Sequence, residues 1–306
     1  MLKKINDSTK NKILLIITGL LAVLYILSFT QAFSSKDRRE KLKTSLVNPK
    51  YKETISSFEL SDAAGTLEIV KKGSFWTADS IPLSNERMEK LIFDLTTIRN
   101  LYKISDKITK NSTFGLTNGT EFHLRYFTDT GFHELVFGNQ DFSLSSRYMM
   151  TEKSTQVYEI DDSFDKYLTT SIQSWCEPYI ISREVLGHIN QKDIQTINIT
   201  EAENGRVIKY SKLSDAEKIK NLLELRHGGS AGKKAENLLL GDNTLTLNIE
   251  LGNKKSINLE IYDENSPNET SYIVKSEYKN EAGKTEFTAI CKISGWTYNR
   301  IKEITL

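Results

Sequence analysis

The sequence predicts an α+β protein: an N-terminal transmembrane helix followed by two similar lobes, each a mostly antiparallel sheet with one packed helix. Three observations carry this. An uncharged apolar run begins at Ile13. Beyond Tyr51 most of the chain alternates apolar and polar residues in short runs, the period of strands with one buried face. Two amphipathic helical patterns interrupt those strands at corresponding places, so the order strand, strand, helix, meander occurs twice.

The elements follow in order. Residues 1–12 carry Lys3, Lys4, Lys10 and Lys12 and read as a basic cytoplasmic tail. Residues 13–33 are the expected transmembrane anchor, since no charge occurs between Ile13 and Ser35 and such a run can cross a hydrocarbon core of about 30 Å as a helix. A cleaved signal peptide is the competing reading, with Thr30-Gln31-Ala32 as its small-residue site, although the apolar run is long for that role. Lysines on the N-terminal side favour an inside N-terminus; Lys36, Arg38, Arg39, Lys41 and Lys43 follow closely, so the charge count alone leaves the orientation open. A lone anchor before a large domain favours a body outside the cytoplasm of a bacterial inner membrane. Residues 34–50 read as a charged juxtamembrane stalk, helical until Pro49.

The first lobe is expected over 51–162. "ISSFEL" and "TLEIVKK" are strands around the turn "SDAAG", and Gly73 leads into "SFWTAD". Ser84 caps a helix in which Met88, Leu91, Ile92, Leu95 and Ile98 recur at helical spacing. "EFHLRYF", "FHELVFG", "RYMMTE" and "QVYEID" form the meander. Residues 163–183 are a connecting helix and linker ending near Pro178. The second lobe, 184–306, opens with "IQTINIT" and "GRVIKYSK". Its helix "SDAEKIKNLLEL" starts at a capping box from Ser214 to Glu217, and its meander is "TLTLNIELG", "KSINLEIYDE", "SYIVKSEY" and "TEFTAICKI".

Charge narrows the function. Residues 1–50 carry a balance of +7 and the remaining 256 residues one of −6. A basic arm on a mildly acidic body fits a membrane tether, and the absence of a basic stripe argues against a nucleic-acid partner. The two cysteines, Cys176 and Cys291, form no metal-binding motif. Cys291 alternates with Phe287, Ala289 and Ile293 on one strand face and reads as a core residue; pairing with Cys176 in an oxidising compartment stays open. No cofactor or metal is expected.

The string "RHGGSAG" at 226–232 contains G-x-S-x-G, the hydrolase nucleophile elbow. That elbow needs a strand before the serine and a helix after it, with a histidine later in the chain. Here a helix comes first, and His227, the last histidine, precedes Ser230. The string therefore reads as a helix-exit loop with Gly228 as the C-cap glycine, and no catalytic residue is assigned. His123 and His133 lie on neighbouring strands and could in principle share a metal, although polar cross-strand pairs explain them more simply. Trp76, Trp175 and Trp296 read by default as core or inter-lobe packing; exposed, they would be the candidate partner surface.

The first lobe resembles the bacterial domain-of-unknown-function family 4340. The resemblance rests on "LEIVKKGSFWTAD", "SNERMEKLIFDLTTI", "FGLTNG", "HELVFGN" and "SRYMMTEKSTQVYEIDDSF". Within these, Trp76, Phe114-Gly115-Leu116, Gly138, Tyr148 and Val157-Tyr158 match the family pattern; Asn118-Gly119 stands where the family often has proline. The likeness covers about residues 55–175 well and the second lobe weakly. It brings no catalytic residues. It implies a single-pass membrane protein encoded beside ABC transporters of the gliding-motility type, hence an accessory subunit binding an ABC permease and ATPase complex. The alternatives are a ligand- or glycan-binding envelope module and, third, a serine hydrolase.

Overall fold

The computed structural model describes residue 12 and residues 15–28, 40–108, 113–117, 119–151, 154–187, 189–211, 214–231, 241–264 and 271–305. Residues 15–28 form a helix, α1, exposed along its whole length; Leu15, Ile16, Leu20, Leu21, Leu24 and Ile26 are all more than half exposed. Its 14 residues rise roughly 21 Å at 1.5 Å each. Among the described residues no helix is long and apolar enough to cross a membrane. The rest of the expected anchor, 13–14 and 29–33, lies outside the described residues, as do the expected tail except residue 12 and the stalk up to residue 39.

The stalk expectation is corrected where it can be seen. Residues Lys41–Thr44 form β1, which pairs antiparallel with β6 (Arg99–Ser105). Leu46 and Val47 are buried in the first core, and the Val47 amide donates to the Leu95 carbonyl at 2.9 Å. The first lobe therefore begins near residue 41. Charge along the stalk concealed a strand that long-range pairing supplies.

Among the described residues the first sheet has ten strands. β2 (Ser57–Asp62), β3 (Gly65–Lys72), β4 (Phe75–Ala78) and β5 (Ile81–Pro82) precede the helix α2 (Asn85–Thr96). After β6 come β7 (Phe122–Thr128), β8 (Gly131–Gln140), β9 (Ser146–Thr151) and β10 (Val157–Asp161). The spatial order is β1-β6-β10-β9-β8-β7-β2-β3-β4-β5, and every pairing is antiparallel. Alternation holds on β7, where Phe122, Leu124 and Tyr126 are buried and the residues between them are not. It fails on β4, buried at all four positions, because that strand is packed on both faces: Trp76 joins the first core and Phe75 the second.

On α2 the Ser84 hydroxyl accepts from the Arg87 amide at 3.3 Å, and Met88, Leu91, Ile92 and Leu95 face the core. Ile98 does not continue the stripe; the helix stops at Thr96 and Ile98 is 61% exposed.

The second sheet has seven strands: β11 (Ile194–Glu201), β12 (Val207–Ser211), β13 (Gly229–Ser230), β14 (Asn243–Leu251), β15 (Ser256–Glu264), β16 (Ser271–Lys279) and β17 (Thr285–Ser294). Helix α3 (Ala216–Leu223) follows β12 and α4 (Gly295–Thr305) closes the chain. The capping box expected from Ser214 does not form. Asp215 is the N-cap, and its carboxylate takes the Ser211 amide and the Ser214 hydroxyl instead.

The spatial order β12-β11-β14-β15-β16-β17-β13 repeats β3-β2-β7-β8-β9-β10-β6 strand for strand. In both lobes a hairpin leads to a helix, the strand after the helix crosses to the far edge, and a meander fills the gap. The first lobe adds β1 at one edge and β4–β5 at the other. The connector is not an α-helix but two short 3-10 turns, Asp162–Tyr167 and Ile172–Ser174. Phe164, Tyr167 and Trp175 along it sink into the first core, while Ile180 and Ile181 belong to the second.

Candidate functional site

The G-x-S-x-G stretch lies at the joint between the lobes. Helix α3 ends at Leu223 with Glu224 as its C-cap, so Gly228 is not the cap glycine. The chain instead forms β13, where Gly229 and Ser230 pair with Lys292 and Cys291, and the Gly228 amide donates to the Lys292 carbonyl at 2.8 Å. Gly229 has φ +132° and lies against the connector: a Cβ there would fall 1.6 Å from Gln173 Nε2, while that same nitrogen donates to the Gly228 carbonyl at 2.8 Å.

Two strands' worth of edge meet here. The β4–β5 hairpin turns through Asp79 and Ser80, with φ +45° and +62°. Positive φ at both central residues fits the tight hairpin geometry that Asn-Gly usually supplies. The second lobe holds this turn in place. Ile290 of β17 donates its amide to the Ser80 carbonyl at 3.2 Å, and the Ser230 hydroxyl donates to the Asp79 carbonyl at 3.3 Å. Phe75 meets Phe287 edge-on at 5.2 Å across the same seam.

The chemistry of the joint is that of a packed polar seam. His227 Nε2 lies 2.7 Å from the Glu177 carbonyl, so this nitrogen carries the proton, and the His227 amide donates to the Pro178 carbonyl. Burial pushes the imidazole below its usual range. Glu177 is 5% exposed; its carboxylate accepts from the Ser182 hydroxyl at 2.6 Å and the Arg183 amide at 2.8 Å, and burial raises its pKa. Both cysteines are free thiols, and burial pushes that of Cys291 up to about 12, far from the reactive thiolate. Ser230 and His227 thus point to different carbonyls, and the element before the serine is helix α3, not the strand an elbow needs.

The other predicted residues fall as follows. His123 and His133 cannot share a metal, because strand register puts them on opposite sheet faces: His123 pairs with Val136 and His133 with Tyr126. His123 meets Glu134 at 3.0 Å in a charged cluster with Arg125 and Glu59, whereas His133 stacks on Tyr126 at 5.0 Å. Among the described residues no group of three His, Cys, Asp or Glu could hold a metal. Of the tryptophan surface only Trp296 is exposed, at 75%. Trp76 and Trp175 are core residues, as the packing reading expects, which removes them from the partner surface: Trp76 packs on Phe58 at 5.6 Å, and Trp175 on Tyr167 at 6.1 Å beneath the Arg87 guanidinium at 4.7 Å. Large rings with one polar atom are favoured inside once that atom is satisfied, as Trp175 Nε1 is by the Thr169 carbonyl.

Among the clefts open to solvent, two adjoin the β3–β4 hairpin. One, of about 560 Å³, lies between α2 and the β3–β4 hairpin, with Lys52, Lys71, Lys90, Glu86, Phe93 and an edge of Trp76 on its walls. The other, of about 470 Å³, lies between the lobes, with Lys72, Phe75, Val185, Asn280, Lys284 and Glu286. Neither was legible in the sequence, since each joins residues far apart in the chain.

The motif residues of the first lobe do converge. The Asn139 amide donates to the Phe114 carbonyl at 2.8 Å, Phe114 meets Tyr148 at 4.9 Å, and Leu116, Val136 and Val157 bury together. Gly138 is required there: a Cβ would fall 2.0 Å from the Phe114 carbonyl oxygen. The Phe-Gly-Leu loop is thereby clamped onto the outer sheet face. No curated protein and no solved structure matches the chain. A family profile does, over residues 76–250, more than half of its length and reaching from the first lobe well into the second. The chain belongs to that family, described as a domain of unknown function, DUF4340.

Proposed function

We propose that the protein is a non-enzymatic, single-pass protein of the bacterial cytoplasmic membrane. Its two lobes lie outside the cytoplasm and serve as an accessory subunit of an ABC-type transport or motility complex. The observation that carries the membrane part is α1, an apolar helix exposed at every described position. Exposed apolar surface is unfavourable by roughly 25 cal/mol per Å², and a bilayer removes that cost. The body suits water. Its outer sheet faces carry ion pairs such as Arg125–Glu59 at 2.6 Å and Lys292–Glu264 at 2.7 Å. The transporter partner rests on the family resemblance, and the seam built by Ser230 and His227 supports a non-catalytic reading of the G-x-S-x-G string.

The test is purification of the full chain from membranes in mild detergent. A permease and an ATPase are expected to accompany it. Repeated recovery of the protein alone would reject the accessory role.

The inter-lobe cleft favours a second reading, an envelope module that binds a small polar ligand or glycan between Lys72, Asn280, Lys284 and Glu286. Saturable binding of a glycan that Lys284→Ala abolishes would select it.

A further inference from the structure

We propose that the end of the first sheet formed by Lys50, Tyr51, Lys52, Lys71 and the β7–β8 turn docks on anionic headgroups of the membrane that holds α1. This rests on the anchor reading above.

Strand register fixes which end of the sheet receives the tether. β1 runs antiparallel to β6, with Lys41 opposite Tyr102, and the Lys103 amide donates to the Glu40 carbonyl. The chain therefore comes in from the Ser105 side. Following the antiparallel pairings across the sheet, that side is the start of β10, the end of β9, the β7–β8 turn, the start of β2 and the β3–β4 turn.

At that end Lys50 and Tyr51 meet the β7–β8 turn, with Tyr51 packed on His133 at 5.3 Å on the core side and Phe127 and Phe132 on the outer side of the same tip. Lys50 lies over the Tyr51 ring at 4.7 Å, and the Tyr51 hydroxyl, bonded to Thr130 and Lys50, is held below its usual pKa. The Ser56 amide donates to the Phe127 carbonyl, and the Lys71 amide to the Ser56 carbonyl. Phe127 and Phe132 flank the turn with rings 6.2 Å apart, and Phe132 is 58% exposed. Lys52 and Glu53 line a cleft with Lys71, Asp129 lies beside Tyr51, and Glu40 and Asp106 at the same end are both paired to Lys103. Aromatic rings at headgroup level with lysines beside them are what an anionic interface attracts.

The opposite end of the sheet supplies the contrast. Its β8–β9 loop also shows apolar residues, Phe142 and Leu144, but among aspartates. Asp141 holds that loop through Ser143, Ser145 and Ser146, and Asp162 bonds to the Ser145 carbonyl. The two exposed aromatic tips thus differ in their neighbours: Lys50 stands beside the tether-end turn, whereas at the far end Asp141 binds the loop itself and the basic Arg147 is paired to Asp165. Reach permits docking. The chain between residue 28 and Glu40 can span at most about 40 Å, and β8 lies four strands from β1, roughly 20 Å at sheet spacing.

The experiment uses the full chain reconstituted in vesicles of phosphatidylcholine with phosphatidylglycerol, doped with brominated lipid that quenches nearby tryptophan. Phe132→Trp should add a quenched emission that Phe142→Trp does not. Lys50→Ala with Lys71→Ala should lower the docked fraction on the order of tenfold, and so should pure phosphatidylcholine. Alkaline carbonate washing of the same vesicles reads the anchor separately. A retained chain in which both tryptophans, or neither, are quenched overturns the docking and leaves the anchor standing. Equal quenching of Phe132→Trp in pure phosphatidylcholine also overturns it. A chain stripped by carbonate overturns the anchor reading, and the docking with it.

Discussion

In the first lobe the strand that follows the helix, β6, is seven residues long and is covered in turn by β1. In the second lobe the equivalent strand, β13, is two residues long. Among the described residues no strand pairs with that edge of β17 beyond Cys291, and the first lobe reaches it there: Ser80 takes the Ile290 amide. An open strand edge is a pairing hazard. One copy of the repeated unit manages it with its own chain, the other with its neighbour's hairpin. The first lobe therefore looks self-sufficient and the second dependent, so the two should unfold as one cooperative body.

Trp175→Ala is the strongest way to break that comparison. Removing a fully buried ring from the first core should cost about 3–5 kcal/mol. If the second lobe depends on the first, amide exchange in β14–β17 should accelerate along with that in β2–β10. Unchanged protection in β14–β17 would show two independent bodies. Gly138→Ala should cost about 1–3 kcal/mol, because the new methyl meets backbone at the Phe-Gly-Leu loop. Its effect should stay in the first lobe and appear as faster exchange at the Asn139 amide; a denaturation midpoint equal to wild type would mean the loop is not clamped there.

The third prediction concerns pH at the joint. His227 has a folded pKa below its unfolded one, so the native state binds fewer protons and stability is lost as pH falls through the usual histidine range near about 6.5. His227→Gln, which keeps a donor toward the Glu177 carbonyl, should flatten the fall of the denaturation midpoint below neutral pH. A slope identical to wild type would place the titrating group elsewhere. Smallest is Ser230→Ala, which removes one hydrogen bond across the seam and should cost about 0.5–1.5 kcal/mol. Loss of an ester- or peptide-hydrolysing activity in that variant would make the serine a nucleophile after all.

Legibility in the sequence followed the range of the forces involved. The hairpins of both lobes, α2 with its Ser84 cap and the meander strands are visible because turn chemistry and periodicity act over a few residues. The strands after the helices, Arg99–Ser105 and Gly229–Ser230, do not show in the sequence, where "RHGGSAG" reads as a helix-exit loop, yet they occupy equivalent edges. What stayed hidden needed a partner distant in the chain. The Ser214 box gave way to Asp215 because a carboxylate bonded to Ser211 competes for the same hydroxyl. The stalk hid β1, whose apolar content is one leucine in Lys41–Thr44.

By itself the sequence determined an α+β body built twice, an apolar segment ahead of it, and a serine motif without a histidine after it. Only the tertiary structure decided that Trp76 and Trp175 are core rather than surface, and that His123 and His133 face opposite ways. It alone also placed Ser230 in a seam against Asp79. The reason is physical: periodicity specifies which residues want a buried face, but register and crossing connections choose which face and which neighbour receive them.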